Sequence, residues 1–407
     1  MKEIAGGVCA PIGFMAGGIW CGIKAQSQKR DLALIYSEKS CTASAVFTTN
    51  RVKAASIIVS MEHIAAGKLH AIIANSGNAN ACTGAAGLDA AQRMAALAAD
   101  EFVINPRHVA VASTGVIGVP LPIAAIENSI GALANSLRGD EAGHAAALEA
   151  IMTTDTRKKE VSVEIEIGGL PVRIGGMAKG SGMIHPNMAT MLCFLTTDAA
   201  ISRELLDKSL HRAVSRSFNR LTVDGDTSTN DMVVVMANGA SGIPAITEED
   251  DGYELFAGAL EACCVKLVRA MARDGEGATK LVTVTVNGTD DEATAETLAK
   301  SIASSSLVKT ACFGADANWG RILCAMGYSG AEFDPLQTTV AFKSTAGEIT
   351  VFKNGEPFPF YEEDAKNILS QEEIEIIITI GNENNAVSVW GCDLTYDYVK
   401  INGDYRS

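Results

Sequence analysis

Short runs of β-branched residues alternate with alanine-rich helical segments along the whole of this 407-residue chain. The first part predicts strands over residues 31–36, 55–60 and 70–76 and a helix over about 85–102. The run EVSVEIEIGG alternates apolar and polar residues with a period of two, which is typical of a strand with one solvated face. Strands mixed with helices and frequent hairpin-like pairs favour mixed α/β layers over a purely parallel, doubly wound sheet.

The second part of the chain continues in the same manner. The runs TMLCFLTTDA and DMVVVMAN predict strands, with helices over about 202–218 and 253–272. A helix over about 292–305 follows, and then several strands that include EIEIIITIG and NAVSVWGCD. We find no fixed-period repeat and no low-complexity linker, so composition alone does not divide the chain into domains.

Charge and cysteine spacing limit the classes of function. A formal net charge of −15 argues against nucleic acid or an anionic membrane as the main partner. The long uncharged stretch VAVASTGVIGVPLPIAAI is broken by proline and glycine and does not resemble a membrane span. The ten cysteines form no C-x-x-C pair and no zinc spacing with histidine, which predicts reduced, core-filling thiols in a cytoplasmic protein without a metal site.

The segment KGSGMIHPNMATMLCFL changes at Ala189–Thr190 from a glycine-spaced loop to an apolar, strand-like run. A threonine becomes a nucleophile when its own free α-amine, with a pKa of roughly 8, serves as the general base. That requires cleavage of the preceding peptide bond, in which the hydroxyl attacks the carbonyl and water resolves the ester. The alternative is a threonine that merely begins a strand, where a β-branched side chain packs well.

Other polar loops are open to simpler interpretations. ASTGVIG places Thr114 and Gly115 at a strand end, where two backbone N–H groups could form an oxyanion hole or a plain strand-to-helix turn. ANSGNANACTG predicts a tight polar loop that opens a helix. TVDGDTSTND lacks the spacing of a calcium loop and is interpreted as a solvated turn, and GGMAKGSG is not a Walker A motif. The six histidines show no spacing with carboxylates that would support a Ser-His-Asp or zinc hydrolase.

A series of motifs in fixed order makes the chain resemble the ornithine acetyltransferase family, the glutamate N-acetyltransferases of arginine biosynthesis. They extend from about residue 6 to residue 407, so the resemblance covers nearly the whole chain. The motifs are GGVCAPIGFMAGGIWCGIK, ANSGNANACTG, ASTGVIG, MTTDT, GGMAKGSGMIHPNMATML with FLTTDA, TVDGDTSTND, ARDGEGATK, DANWGRI and INGDYRS.

The resemblance implies self-cleavage between Ala189 and Thr190, giving an α subunit (1–189) and a β subunit (190–407) that stay associated. It further implies that Thr190 takes an acetyl group from N-acetylornithine and passes it to glutamate. Some family members also accept acetyl-CoA, which the sequence leaves open here, and no cofactor or metal is implied. The implied fold is an αββα layered sandwich, connected differently from Ntn hydrolases. The implied assembly is a dimer of αβ pairs, a heterotetramer, or a larger assembly.

The resemblance also assigns site residues. It places Thr114 and Gly115 in the oxyanion hole, and its substrate-binding positions are Thr156, Lys179, Thr190, Glu276, Asn402 and Ser407. Our own hypotheses are that Lys179 binds the α-carboxylate and that Glu276 holds the side-chain ammonium of ornithine. The alternatives are a self-cleaving amidase or aminopeptidase that passes the acyl group to water, and a non-catalytic small-molecule binding protein that retains these loops.

Overall fold

The computed structural model describes residues 1–185, 191–381 and 385–403. Within these residues the strands are β1 (Lys2–Glu3), β2 (Phe14–Ile19), β3 (Leu32–Phe47), β4 (Lys68–Asn78), β5 (Val109–Val116), β6 (Lys159–Ile167), β7 (Leu170–Lys179), β8 (Leu192–Thr197), β9 (Met232–Ala237), β10 (Leu281–Thr289), β11 (Thr338–Ser344), β12 (Gly347–Lys353), β13 (Glu356–Pro357), β14 (Glu373–Ile380) and β15 (Asn385–Cys392). The helices are α1 (Ala55–Ile64), α2 (Gly84–Phe102), α3 (Ile123–Glu127), α4 (Ile130–Asn135), α5 (Glu141–Ile151), α6 (Arg203–Ser215), α7 (Asp251–Arg273), α8 (Glu292–Ser304), α9 (Ser306–Phe313), α10 (Trp319–Gly327), α11 (Glu362–Leu369) and α12 (Tyr396–Asn402).

A mixed sheet with the strand order β1-β6-β7-β8-β9-β3-β4-β5 forms the larger part of the fold, and β2 pairs with β3 beside it. The long strand β3 belongs to both halves of this sheet. Its residues 42–47 pair with β9, whereas its earlier residues pair with β4. The register shifts between Tyr36 and Cys41. Such irregularities bend a strand, which allows the two halves of one sheet to face each other.

Apolar side chains on successive strand residues separate into distinct core clusters, as the two-residue period of a strand requires. In β9, Val233 packs in a cluster with α6 and α7. Its neighbour Val234 packs in an inner cluster with Ile72 of β4, from the other half of the sheet. Ile73 of β4 packs in an outer cluster with residues of α1 and α2. The layers are therefore helix, sheet, sheet, helix, which confirms the expected αββα architecture.

A second sheet, with the order β13-β12-β11-β14-β10-β15, follows in the last third of the chain. Strands β10 and β14 are parallel, and the other pairs are antiparallel. Helices α8, α10 and α11 bury their apolar residues on this sheet. An isolated bridge between Leu221 and Trp390 connects it to the chain that precedes β9. Both sheets mix parallel and antiparallel pairs, as the sequence predicted.

One predicted strand is wrong. Residues 55–60 (ASIIVS) lie in helix α1. Ile57 and Val59 are buried there despite their β-branched side chains. The hydroxyl of Ser60 donates to the carbonyl of Val111 in β5 and accepts the N–H of the same residue, each at 2.7 Å. Tertiary contacts of this kind override the weak β-propensity of a short run.

All ten cysteines lie in the described residues and are free thiols. Most are buried, as predicted, but Cys82 and Cys324 are exposed, so the core-filling interpretation is wrong for these two. Cys82 lies in the loop before α2 with a φ of +59°, where the chain turns into the helix and leaves the core. Across the described part of the chain, no helix combines the length and apolarity needed to cross a membrane.

Candidate active site

The Ala189–Thr190 junction itself lies outside the described residues, but the chain on both sides of it is described. Strand β7 ends at Lys179, and its antiparallel neighbour β8 begins at Leu192. These two residues are register partners, so the two strands that flank the junction are paired at this end of the sheet. The N–H of Met191, the residue after Thr190, donates to Asp231 Oδ1 at 2.9 Å. The position of the chain is thus determined to within one residue of Thr190.

A pocket of about 110 Å³ gathers five of the predicted site residues: Thr114, Gly115, Lys179, Glu276 and Asn402. They come from β5, the end of β7, the loop after α7 and the last helix. Because Lys179 also pairs with Leu192, the pocket lies beside the start of β8. The remaining described lining is Ile117, Thr153, Thr154, Gly182, Met183, Ser228, Thr229 and Asn230.

Thr114 and Gly115 are held at the end of β5 by tight backbone packing. Gly115 has a φ of +133°. A Cβ on this residue would lie 2.3 Å from the carbonyl carbon of Gly77 in β4, so only glycine fits. The buried hydroxyl of Thr114 accepts a hydrogen bond from Lys179 Nζ at 3.3 Å. A backbone fixed in this way suits a preorganised donor site.

The side chain of Lys179 is buried beside Asp155, which forms an ion pair with Lys159. Burial lowers the pKa of Lys179, and the nearby carboxylate of Asp155 opposes that shift. Burial by itself would raise the pKa of Asp155, but the charges of Lys179 and Lys159 hold it below its ordinary value. Asp155 Oδ1 accepts from Lys159 Nζ at 2.6 Å and from the N–H of Gly180 at 2.8 Å. The anionic Asp155 therefore favours a charged ammonium on Lys179 in a site that would otherwise neutralise it.

The carboxylate of Glu276 is oriented by two hydrogen bonds within the pocket. Its Oε1 accepts from the hydroxyl of Thr154 at 2.8 Å, and its Oε2 accepts from Asn402 Nδ2 at 2.8 Å. The backbone N–H of Glu276 donates to the carbonyl of Ser181 at 2.8 Å. A Cβ on Gly182 would lie 2.3 Å from Glu276 Oε2, so this glycine leaves room for the carboxylate. The arrangement presents a fixed negative charge to the pocket.

The structure places Thr156 apart from these residues. Thr156 is exposed, its hydroxyl donates to Asp274, and it lines a neighbouring cavity. Within the same MTTDT motif, Thr153 and Thr154 line the pocket instead. The MTTDT motif therefore does contribute to the pocket, but through Thr153 and Thr154, which the sequence analysis did not select. The role of Thr156 in substrate binding stays a prediction, and Ser407, Ala189 and Thr190 lie outside the described residues.

The segment TVDGDTSTND is not the solvated turn that we expected. Only Gly225 and Asp226 are exposed in it, and residues 228–231 are buried. Asn230 Nδ2 donates to the carbonyl of Ala79 at 2.7 Å and to that of Ser113 at 2.8 Å. The interpretation fails because these polar side chains bind the backbone of distant loops rather than water. The segment supports the strand end at Thr114 and forms one wall of the pocket.

Comparisons with known proteins give consistent findings. The model of the ArgJ family matches residues 15–407. The chain is 50% identical to the arginine biosynthesis bifunctional protein ArgJ of Symbiobacterium thermophilum and 51% identical to that of Caldanaerobacter subterraneus subsp. tengcongensis, each over 100% of both chains. A crystal structure of arginine biosynthesis bifunctional protein argJ from Bacillus halodurans is 46% identical, with a TM-score of 0.50, over 52% of this chain and 98% of that chain.

Proposed function

Because this chain belongs to the ArgJ family of enzymes, we propose that it transfers an acetyl group from N-acetylornithine to glutamate. We further propose that Thr190 is the nucleophile and that self-cleavage after Ala189 exposes its α-amine. Its curated relatives carry the name of arginine biosynthesis bifunctional proteins. The observation that carries the proposal is the pocket beside the start of β8, where a cation, a carboxylate and a fixed glycine backbone meet.

The proposed chemistry is acyl transfer through an ester. In self-cleavage, the Thr190 hydroxyl attacks the carbonyl of Ala189 and forms an ester, and water then hydrolyses that ester. The products are the carboxylate of Ala189 and the free α-amine of Thr190. In the transfer reaction, this amine takes the hydroxyl proton while the oxygen attacks the acetyl carbonyl, and the proton leaves with the amine of ornithine. The amine of glutamate then attacks the acetyl ester and regenerates the free hydroxyl.

Both half-reactions pass through a tetrahedral intermediate that carries an oxyanion. The backbone at Thr114 and Gly115 is the proposed donor site for that charge. The positive φ of Gly115 and its contact with Gly77 support the proposal, because a rigid strand end needs no reorganisation during the reaction. Removal of one such donor typically costs about 3–4 kcal/mol of transition-state stabilisation.

Two charged groups in the pocket match the ends of the proposed substrates. We assign Lys179 to the α-carboxylate that both amino acids carry. We assign Glu276 to the side-chain ammonium of ornithine, because its carboxylate is held in place by Thr154 and Asn402. Glutamate carries a carboxylate at that end, so Glu276 favours the donor over the acceptor.

We also propose that acetyl-CoA serves as a second donor. The name of the relatives, which calls them bifunctional, supports this proposal. A cavity of about 420 Å³ shares Gly115, Thr153 and Thr154 with the pocket, so it offers space for a donor larger than an amino acid. Lys24 also lines this cavity, and burial lowers the pKa of its ammonium to about 8. An acetyl transfer assay with glutamate and acetyl-CoA, without N-acetylornithine, tests this donor directly.

The decisive test of the main proposal compares wild type with Thr190→Ala and Thr190→Ser. We expect two bands for wild type on a denaturing gel, with Thr190 as the first residue of the second fragment. Thr190→Ala should remain one chain and transfer no acetyl group, whereas Thr190→Ser keeps a hydroxyl and should cleave. Wild-type transfer rates in Thr190→Ala would overturn the mechanism. Release of free acetate without acetylglutamate would identify an amidase instead.

We propose that the two fragments stay together and assemble as a dimer of αβ pairs. The antiparallel pairing of β7 with β8 supports association, since these neighbours in one sheet lie on opposite sides of the junction. Cleavage breaks one peptide bond and leaves their ladder of hydrogen bonds intact. Analytical ultracentrifugation of the cleaved protein should give a mass of about two full chains. Separation of the fragments without denaturant would contradict the proposal.

A further inference from the structure

Two carboxyl groups of the segment 222–231 bind the backbone on both sides of the Ala189–Thr190 junction. Asp224 accepts from the N–H of Met183 at 2.5 Å and from that of Ile184 at 2.8 Å. Asp231 Oδ1 accepts from the N–H of Met191 at 2.9 Å. Two successive N–H groups shortly before the junction and the first described one after it are thus held by a single loop.

Asp224 stabilises a backbone conformation that Met183 would not adopt readily by itself. Met183 has a φ of +56°, in the left-handed region that side chains other than glycine rarely occupy. One carboxylate that binds two successive N–H groups offsets this strain. The hydroxyl of Tyr398 donates to Asp224 Oδ2 at 3.3 Å and connects the same anchor to α12. The backbone at Met183 and Ile184 is therefore held in a defined conformation by a side chain from another loop.

Asp231 is fully buried, and the hydroxyls of Thr48 and Ser228 lie near its carboxyl group. Burial raises the pKa of Asp231 well above its ordinary value, whereas the N–H of Met191 and the charge of Lys179 oppose that shift. Its hydrogen bond to Met191, the residue directly after the proposed nucleophile, points to a role beyond packing.

We propose that Asp224 and Asp231 are positioning residues for self-cleavage, which hold the chain on the two sides of the scissile bond so that the Thr190 hydroxyl meets the carbonyl of Ala189. This inference rests on the proposed function. After cleavage, Asp231 still binds Met191 and so continues to position the new N-terminal threonine. Asp224 then binds the other fragment at Met183 and Ile184 and no longer acts on Thr190 through an intact chain. The two residues therefore differ in their consequences for transfer.

The test follows cleavage of the full-length chain over time on a denaturing gel after synthesis in a cell-free system. We expect Asp224→Ala and Asp231→Ala to slow cleavage by at least about tenfold, because small misplacements of reacting groups cost this much or more. Asp231→Asn keeps an acceptor for Met191 and should cleave within about threefold of wild type, since the neutral amide resembles a protonated carboxyl in shape. In the cleaved fraction, Asp231→Ala should lower kcat for acetyl transfer more than it changes KM.

Two matched controls separate positioning from general loss of stability. Asp198 is a buried aspartate that accepts from the N–H of Ile12 at 3.0 Å and of Arg173 at 2.8 Å, away from the junction. Asp198→Ala should therefore destabilise the fold while cleavage stays within about twofold of wild type. Asp226→Ala changes an exposed carboxylate of the same loop and should also leave cleavage unchanged.

Each outcome supports or overturns a defined statement. Cleavage of Asp224→Ala and Asp231→Ala at the wild-type rate would overturn the inference, as would equal slowing by Asp198→Ala. If the alanine variants fail to fold, judged by circular dichroism, the asparagine variants decide. Asp224→Asn should then be slower than Asp231→Asn, because one amide oxygen replaces a carboxylate that binds two N–H groups; the reverse order would overturn the inference. A wild-type chain that stays intact would instead refute the proposed function.

Discussion

Replacement of Lys159 by methionine is the most informative perturbation of the network beneath the pocket. The ammonium of Lys159 is fully buried and lies 2.6 Å from Asp155 Oδ1 and 2.5 Å from Asp274 Oδ2. Those carboxylates also organise the backbone around the site. Asp155 accepts from the N–H of Gly180, and Asp274 accepts from the N–H of Thr156. Lys159→Met keeps the apolar stem of the side chain and removes the ammonium that pairs with both aspartates.

We expect a loss of about 3–5 kcal/mol in the free energy of unfolding at pH 7, because removal of one partner leaves buried carboxylates uncompensated. The loss depends on pH. The pKa of Asp155 lies below its ordinary value in the folded protein, so its contribution to stability is present above the unfolded pKa of about 3.9 and is lost as the pH falls through the folded pKa. The difference between variant and wild type should therefore shrink in acid.

The assay is urea denaturation of wild type and variant in the same cleavage state. Arg93→Met is the matched control, since Arg93 forms an exposed ion pair with Glu127, with side chains 49% and 38% exposed. Such a pair contributes about 0–1 kcal/mol, so the control should be nearly neutral. A loss for Lys159→Met no larger than for Arg93→Met would refute the reasoning. A loss that is independent of pH would show that the cause is packing and not charge.

Three further predictions concern the pocket. Gly115→Ala forces a Cβ against Gly77 and displaces the proposed oxyanion site, so kcat for acetyl transfer should fall by about 100-fold or more; near-normal kcat would exclude this site. Glu276→Gln should raise KM for N-acetylornithine more than KM for glutamate in steady-state assays, and equal effects would contradict the assigned ammonium contact. Because burial lowers the pKa of Lys179, KM for glutamate should rise with pH below the usual lysine pKa of about 10.4. Lys179→Arg, which stays charged, should abolish that rise, and a rise retained in Lys179→Arg would exclude Lys179 as its source.

Features set by neighbouring residues were predictable from the sequence. The alternation in EVSVEIEIGG predicted a strand that turns at two glycines, and β6 ends at Ile167 before Gly168 and Gly169, both with positive φ. The helix predicted over about 253–272 is α7, Asp251–Arg273. Side-chain period and the conformational freedom of glycine act within a few residues, so they can be inferred without knowledge of the fold.

The composition of the pocket depended on contacts between distant parts of the chain. The sequence pointed to MTTDT, but only the fold shows that Thr153 and Thr154 face the pocket while Thr156 binds Asp274. Likewise, TVDGDTSTND has the composition of a solvated turn. Most of it is nevertheless shielded from water, because its polar groups find backbone partners near residues 79, 113, 183 and 191. Whether a polar side chain meets water or a distant N–H is decided by the packing of the sheets, which the local sequence does not encode.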